Sequence, residues 1–142
     1  MRMVVATDGS PHAEHAVLWV ARWANRLADT EVTLINVGDV RLLAERMKRG
    51  GTDILAHAAQ AFTAQPGKVK TVYRSGDPAE EILKLAREIH ADLIVLGRRG
   101  LGRIGGLMRG SVSDRVLHGA HCAVLIAREV PVVSRAHPSG GM

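Results

Sequence analysis

Five short apolar runs, separated by segments with helical patterning, constrain the fold of this chain most strongly. The runs are MVVAT, VTLINV, VKTVYR, DLIVLG and AVLIA. Several are unbroken rather than alternating with polar residues, which is typical of strands covered on both faces of a parallel sheet. Five such strands alternating with helices predict an α/β protein with right-handed crossover connections.

The segments between the runs carry helix-start signals. Ser10–Pro11 predicts an N-cap followed by the first helical residue. Asp77–Pro78, with Glu80 at the third helical position, predicts a second such start. Between residues 40 and 64 the composition is helical, but the sequence RGGT at 49–52 predicts a break into two helices, with the threonine capping the second.

One open-sheet solution for five such strands is the flavodoxin or Rossmann type, and we predict a single five-stranded parallel sheet of this type, in the order 3-2-1-4-5, with helices on both faces. Strands one and four are then neighbours at the switch point, and ligands of such sheets bind beyond the carboxyl ends of the strands there. Those ends carry Thr7–Ser10 and Gly97–Gly100. After Ala127 the sequence loses periodicity and gains Pro, Ser and Gly, which predicts an extended, partly disordered tail over 129–142.

The composition excludes several classes of protein. A length of 142 residues is enough for one domain with its own core, and 46% hydrophobic and 23% charged residues are ordinary for a soluble chain. No run approaches the ~18 apolar residues of a membrane span, so we expect no membrane partner. The start, MRMVVATDGS, turns polar too early for a signal peptide. Cys122 is the only cysteine, so we expect no internal disulfide and a cytoplasmic location.

The positive charge of the chain is local. The net charge is +5, and Arg98, Arg99, Arg103 and Arg109 supply four of these charges. Aromatic residues are only 3% of the chain, too few for a platform on which bases stack. We therefore expect a small anionic ligand and no nucleic-acid partner.

The four arginines lie in a glycine-rich segment that follows the fourth apolar run. This segment, GRRGLGRIGGLMRGSVS from Gly97 to Ser113, contains six glycines and no acidic residue. Glycines let backbone N–H groups approach a ligand, and the helix predicted to begin near Ser111 adds a partial positive charge. The segment is thus predicted to bind phosphate. It is not a Walker A loop, because no Gly-Lys-Ser/Thr follows its glycines. Nor is it the dinucleotide fingerprint, which follows the first strand, where this chain reads TDGSPH.

The spacing of this loop, Gly97-x2-Gly100-x9-Gly110-Ser111, resembles the G-x2-G-x9-G-S/T loop of the universal stress protein family, in its ATP-binding branch. The segments VVATDGS, SGDPAEEIL, ADLIVLG and SVSDRV are also similar to family features and stand in the family order. The resemblance covers a domain of residues 1–128. It departs from the family at Cys122–Val124, where the frequent Cys-Pro-Val is Cys-Ala-Val.

The resemblance implies a set of nucleotide-binding residues that match family positions. They are Asp8, Val37, Leu96, Gly97, Arg99, Gly100, Gly110, Ser111, Val112 and Ser113. It further implies ATP as ligand, accompanied by Mg²⁺, a role in sensing or regulation during stress adaptation, and a homodimer formed through the last strand, Ala123 to Ala127. An unpaired strand of that hydrophobicity would otherwise favour aggregation.

Several alternatives stay open at this point. Asp8 could instead cap its turn, and Ser111 could be only an N-cap. Trp19 and Trp23 could form a partner surface, although such residues more often pack between helix and sheet. His118, His121 and Cys122 lack an evident fourth ligand, so we assign no metal site. No catalytic residues are evident, and the alternative functions are a protein-interaction module that does not use nucleotide and a slow ATPase.

Overall fold

The computed structural model describes residues 1–38, 44–98 and 111–128, with only the backbone at Ala44, Pro66 and Ser111. Its elements, in chain order, are β1 (Arg2–Ala6), α1 (Pro11–Ala24), β2 (Glu31–Gly38), α2 (Ala44–Ala59), two 3₁₀ turns (Gln60–Phe62 and Pro66–Lys68), β3 (Val69–Ser75), α3 (Pro78–Glu88), β4 (Leu93–Gly97), α4 (Ser111–Gly119) and β5 (Ala123–Ala127). The predicted tail over 129–142 lies outside the described residues.

The five strands form one parallel sheet in the order β3-β2-β1-β4-β5, as predicted. In the central strand, Val4 pairs with Thr33 of β2 on one side and with Ile94 of β4 on the other. The switch point therefore lies between β1 and β4, which lead into α1 and into the glycine-rich loop.

The alternation of side chains along β1 divides the core into two layers. Met3 and Val5 pack against residues of α1 and α2, whereas Val4 packs against α3 and α4. All three side chains are buried, because helices cover both faces of the sheet. The prediction of helices on both faces is confirmed.

Both predicted helix starts are present. The Ser10 hydroxyl accepts a hydrogen bond from the Ala13 N–H at 3.3 Å, and Pro11 follows as the first residue of α1. The Asp77 carboxylate accepts from the Glu80 N–H at 2.9 Å in the same way at α3. These caps pair N–H groups that have no partner within the helix, and they fix where each helix begins.

The predicted break at residues 49–52 is wrong, because α2 runs without interruption from Ala44 to Ala59. The Thr52 hydroxyl does not cap a new helix but donates to the Arg49 carbonyl oxygen at 3.0 Å. Gly51 is buried, and a Cβ there would overlap the ring of Tyr73 and the amide oxygen of Asn36. The glycine is thus a close-packing residue that lets α2 approach the sheet, rather than a helix breaker.

Candidate functional site

A cleft with an empty volume of about 610 Å³ lies at the carboxyl edge of the sheet, over the ends of β1, β2 and β4. The position is the one that the strand order favours for a ligand. Its lining comprises Ala6, Thr7, Asp8, Ser10, Ala13, Ile35, Asn36, Val37, Pro78, Ile82, Leu96, Gly97, Val112 and Ser113.

Apolar side chains form most of the cleft walls. The strand ends contribute Ile35, Val37 and Leu96, and the helices add Ile82 from α3 and Val112 from α4. Buried aliphatic walls of this kind favour the insertion of a flat or apolar part of a ligand, because that surface leaves water on binding.

Three helices begin at this cleft. Its lining includes Ser10 and Ala13 at the start of α1, Pro78 at the start of α3, and Val112 and Ser113 at the start of α4. The N-terminal end of each helix carries a partial positive charge, which favours an anion close to it. The described lining therefore combines apolar walls with three helix N-termini, of which that of α3 is already capped by the Asp77 carboxylate.

The turn after β1 is organised by short polar side chains. The Asp8 carboxylate accepts from the Ser10 N–H at 3.0 Å, and the Thr7 hydroxyl accepts from the Gly9 N–H at 3.2 Å. Gly9 has φ +79°, a left-handed conformation that glycine adopts without steric cost. Asp8 thus shapes the turn and lines the cleft at the same time, so the two roles considered for it are compatible.

Gly97 allows α1 to begin directly against the end of β4. A Cβ at this position would overlap the carbonyl group of His12 and the backbone nitrogen of Ala13, and main-chain atoms cannot rotate away. Just beyond it, the Arg98 N–H donates to the Ala127 carbonyl oxygen at 3.1 Å, which continues the pairing with β5. Glycine is therefore required here by packing alone, whatever the cleft binds.

An ion pair joins the starts of α3 and α4 beside the cleft. The Arg115 guanidinium donates to the Asp77 carboxylate at 2.8 Å and lies 3.8 Å from the carboxylate of Glu80. The hydrogen bond from Arg115, followed by that from the Glu80 N–H, lowers the pKa of the Asp77 carboxyl. This link holds α4, the helix that follows the glycine-rich loop, against α3.

Six of the predicted site residues lie together in the lining of this cleft: Asp8, Val37, Leu96, Gly97, Val112 and Ser113. The backbone of Ser111 begins α4, as the sequence predicted. Arg99, Gly100 and Gly110 lie outside the described residues.

Sequence reasoning missed Asn36 as a cleft residue. Its side chain is only 6% exposed, and its amide nitrogen donates to the Thr7 carbonyl oxygen at 2.8 Å, so it links the ends of β2 and β1. The signal was a single asparagine within the otherwise apolar end of the run VTLINV. Ile35 and Ile82 were missed for a different reason, since nothing distinguishes them in sequence from other core aliphatic residues.

Of the residues considered for a metal site near the end of α4, His118 has a hydrogen-bond partner within its own helix and Cys122 is partly buried. His118 Nδ1 donates to the Asp114 carbonyl oxygen at 2.7 Å, and burial raises the pKa of the Cys122 thiol. Within residues 1–38, 44–98 and 111–128, no group of three His, Cys, Asp or Glu side chains is placed to hold a metal ion.

Comparisons with known proteins agree with this architecture. A model of the Universal stress protein family matches residues 1–128. Universal stress protein YxiE of Bacillus subtilis is 31% identical to this chain over 145 residues, which cover 89% of this chain and 98% of YxiE. The chain belongs to the universal stress protein family.

Solved structures of other universal stress proteins share the fold. One, in complex with cAMP, has a TM-score of 0.71 and 25% identity and covers 89% of this chain and 95% of its own. Another, from Archaeoglobus fulgidus in complex with dAMP, has a TM-score of 0.71 and 26% identity, with coverage of 89% and 96%. Both neighbours thus bind adenine nucleotides.

In the part of this universal stress protein that the structure describes, no helix is both long enough and apolar enough to cross a membrane. The longest helix, α2 with 16 residues, carries charged side chains such as Glu45 and Arg46 along its length.

Proposed function

We propose that this universal stress protein binds an adenine nucleotide, ATP with Mg²⁺, in the carboxyl-edge cleft. The observation that carries the proposal is that aliphatic strand ends and three helix N-termini line one cleft. Aliphatic walls suit an adenine ring, and helix N-termini suit phosphates. The cAMP and dAMP complexes of related proteins support the same class of ligand.

The position of each residue suggests how it would act. Val37 and Leu96 are the last residues but one of β2 and β4. Both line the cleft with apolar side chains and would contact the base. Asp8 is acceptor-only when ionised, so it would accept hydrogen bonds from the base or the ribose rather than face phosphate. Ser113 is 6% exposed in the first turn of α4, where a hydroxyl would donate to a phosphate oxygen.

The glycine-rich loop would complete the phosphate site. On the family resemblance, Arg99 and Gly100 begin to wrap the phosphates, and Gly110 and Ser111 hold the phosphate chain. Mg²⁺ would be held mainly by phosphate oxygens and water, which is its usual coordination beside a triphosphate. We assign no catalytic role to these residues.

Sensing, rather than turnover, is the role we propose for the nucleotide. Phosphoryl transfer requires a positioned water and stabilisation of the developing charge. Asp8 is the one carboxylate in the described lining, and its oxygen already accepts from the backbone of its own turn. The protein would therefore act as a nucleotide-dependent regulator in cytoplasmic stress adaptation, with any hydrolysis slow.

Isothermal titration with ATP, AMP and cyclic AMP tests the proposal. We expect wild-type protein to bind at micromolar affinity, about −7 to −8 kcal/mol. The variant Gly110→Glu should lose binding, because its carboxylate would occupy the position of a phosphate. The control Gly67→Glu adds the same side chain where a Cβ meets nothing within 4 Å, and it should bind as wild type does.

The alternatives give different results in the same experiment. If folded wild-type protein binds none of the three nucleotides, the proposal is wrong and a nucleotide-independent interaction module takes its place. If ATP binds and the calorimeter then records a steady heat of turnover that Gly110→Glu abolishes, the protein is an ATPase rather than a sensor.

We also propose a homodimer that forms through β5. This strand is an edge of the sheet, and Val124, Leu125 and Ile126 are only half-buried there. Pairing with a second copy would satisfy the free edge and cover apolar surface. Light scattering after size exclusion should give twice the chain mass, and a monomer at all concentrations would contradict it.

A further inference from the structure

The outer face of α1 exposes an unusual set of large apolar side chains. Leu18 is 53% exposed, Trp19 37%, Trp23 39% and Leu27, just beyond the helix, 37%. The two indole rings lie together, with centroids 5.8 Å apart. Of the two sequence-based interpretations of these tryptophans, packing between helix and sheet is therefore wrong. The opposite face of the same helix makes that contact.

Cations accompany these side chains. Arg22 and Arg26 are exposed beside these side chains, in and just after α1. The Arg26 guanidinium lies 5.9 Å from the centroid of the Trp23 ring. From a separate element, the Lys68 ammonium donates to the Leu27 carbonyl oxygen at 3.2 Å. Three cations and four large apolar side chains thus form one surface, which we call the α1 patch.

Acidic groups are few around the α1 patch. Glu14 lies one turn before Leu18, and its carboxylate is 3.4 Å from His57 on α2. Asp29 and Glu31 are the other acidic residues close in sequence, and the Glu31 carboxylate lies 3.6 Å from the Arg2 guanidinium. Since Glu14 and Glu31 face His57 and Arg2, the three cations of the patch exceed the remaining acidic charge. The charge of the patch is complementary to an anionic partner.

The chemistry favours one kind of partner over a second copy of the chain. A second copy of the chain presents the same excess of cations, so a contact between two α1 patches would bring together surfaces of like net charge. Tryptophan with arginine on an exposed helix is instead the combination that lies at lipid–water interfaces. There the indole sits at headgroup depth, and the cations attract anionic headgroups.

We propose that the α1 patch docks this protein on an anionic lipid surface, with Trp19 and Trp23 in the headgroup region and Arg22, Arg26 and Lys68 against lipid phosphates. The contact is peripheral, so it requires no spanning segment. It departs from the expectation of no membrane partner, which rested only on the lack of a spanning run. It lies on a different surface from the carboxyl-edge cleft, whose lining includes none of these residues.

The two tryptophans of the chain both belong to the patch, so intrinsic fluorescence reports on it directly. Purified full-length protein is mixed with vesicles of phosphatidylglycerol and phosphatidylcholine at low salt, and with vesicles of phosphatidylcholine alone. We expect co-sedimentation and a blue-shifted, bromolipid-quenched emission with the anionic vesicles only, and loss of both at high salt.

Two sets of variants locate the contact. Trp19→Ser with Trp23→Ser should weaken partitioning about tenfold or more, measured by sedimentation. Arg22→Gln, Arg26→Gln and Lys68→Gln together should weaken it on the order of 100-fold. The matched control removes three exposed cations elsewhere, on β3 and α3, and should change partitioning less than about threefold. It combines Lys70→Gln, Lys84→Gln and Arg87→Gln.

Thermal melting verifies that each variant is folded. Three results of the vesicle experiment would overturn the proposal. These are the absence of vesicle binding, equal binding to neutral vesicles, and co-sedimentation without any change in tryptophan emission. A change in oligomeric mass for the double tryptophan variant would likewise overturn it, since the patch would then be a contact between copies of the chain.

Discussion

Replacing Gly97 by alanine tests whether packing alone, without a bound ligand, requires a glycine at the end of β4. The added Cβ would overlap main-chain atoms of His12 and Ala13, so the first turn of α1 must move away from β4. Overpacking of this kind costs about 1–3 kcal/mol, and the smaller entropy of the unfolded alanine chain offsets about 0.4–1 kcal/mol. We expect a net loss of about 1–2 kcal/mol in the free energy of unfolding.

Urea titration of the protein without nucleotide measures this change. The control is Gly50→Ala, in the interior of α2, where a Cβ meets nothing within 4 Å. Alanine is favoured over glycine in a helix, so this variant should be more stable than wild type by about 1 kcal/mol. If Gly97→Ala is as stable as wild type while Gly50→Ala behaves as expected, the packing argument for Gly97 is wrong.

Two further variants test the helices that frame the cleft. Gly51→Ala should be less stable than Gly50→Ala by about 1–3 kcal/mol in the same urea titration, because its Cβ overlaps the Tyr73 ring. Equal stability of the two variants would contradict that contact. Arg115→Gln should lower the melting temperature near neutral pH, and this difference should shrink progressively as the pH falls below about 4. The pair lowers the pKa of Asp77, so its stabilisation is complete above the unfolded pKa and is lost as the pH falls through the folded one. A difference that does not shrink on acidification would exclude the Asp77 pair as its source.

The parallel sheet could be predicted from sequence because its strands are short apolar runs, several of them unbroken, that alternate with helical segments. The helix caps could be predicted because Ser10 and Asp77 are local signals whose partners lie three residues away. Local signals failed for α2. The two consecutive glycines looked like a break, and only the position of Tyr73, distant in sequence, shows why Gly51 is accommodated within a helix.

Part of the cleft lining could also be predicted from signals that are local in sequence. Asp8 and Gly97 lie at the carboxyl ends of β1 and β4, and strand ends of a parallel sheet meet at one edge. Asn36 was missed because its role depends on the Thr7 carbonyl of a neighbouring strand. The exposure of Trp23 was equally out of reach, since helical periodicity alone does not tell which of two apolar faces meets the sheet.

Hydrogen exchange with and without ATP tests most directly whether the nucleotide binds at the carboxyl edge. The account predicts slower exchange at the starts of α1, α3 and α4, in residues 7–14, 78–82 and 111–115, with no change at 18–27 on the outer face of α1. Gly110→Glu should abolish this protection, and Gly67→Glu should retain it. Protection confined to other parts of the chain, or none at saturating ATP, would contradict the central claim.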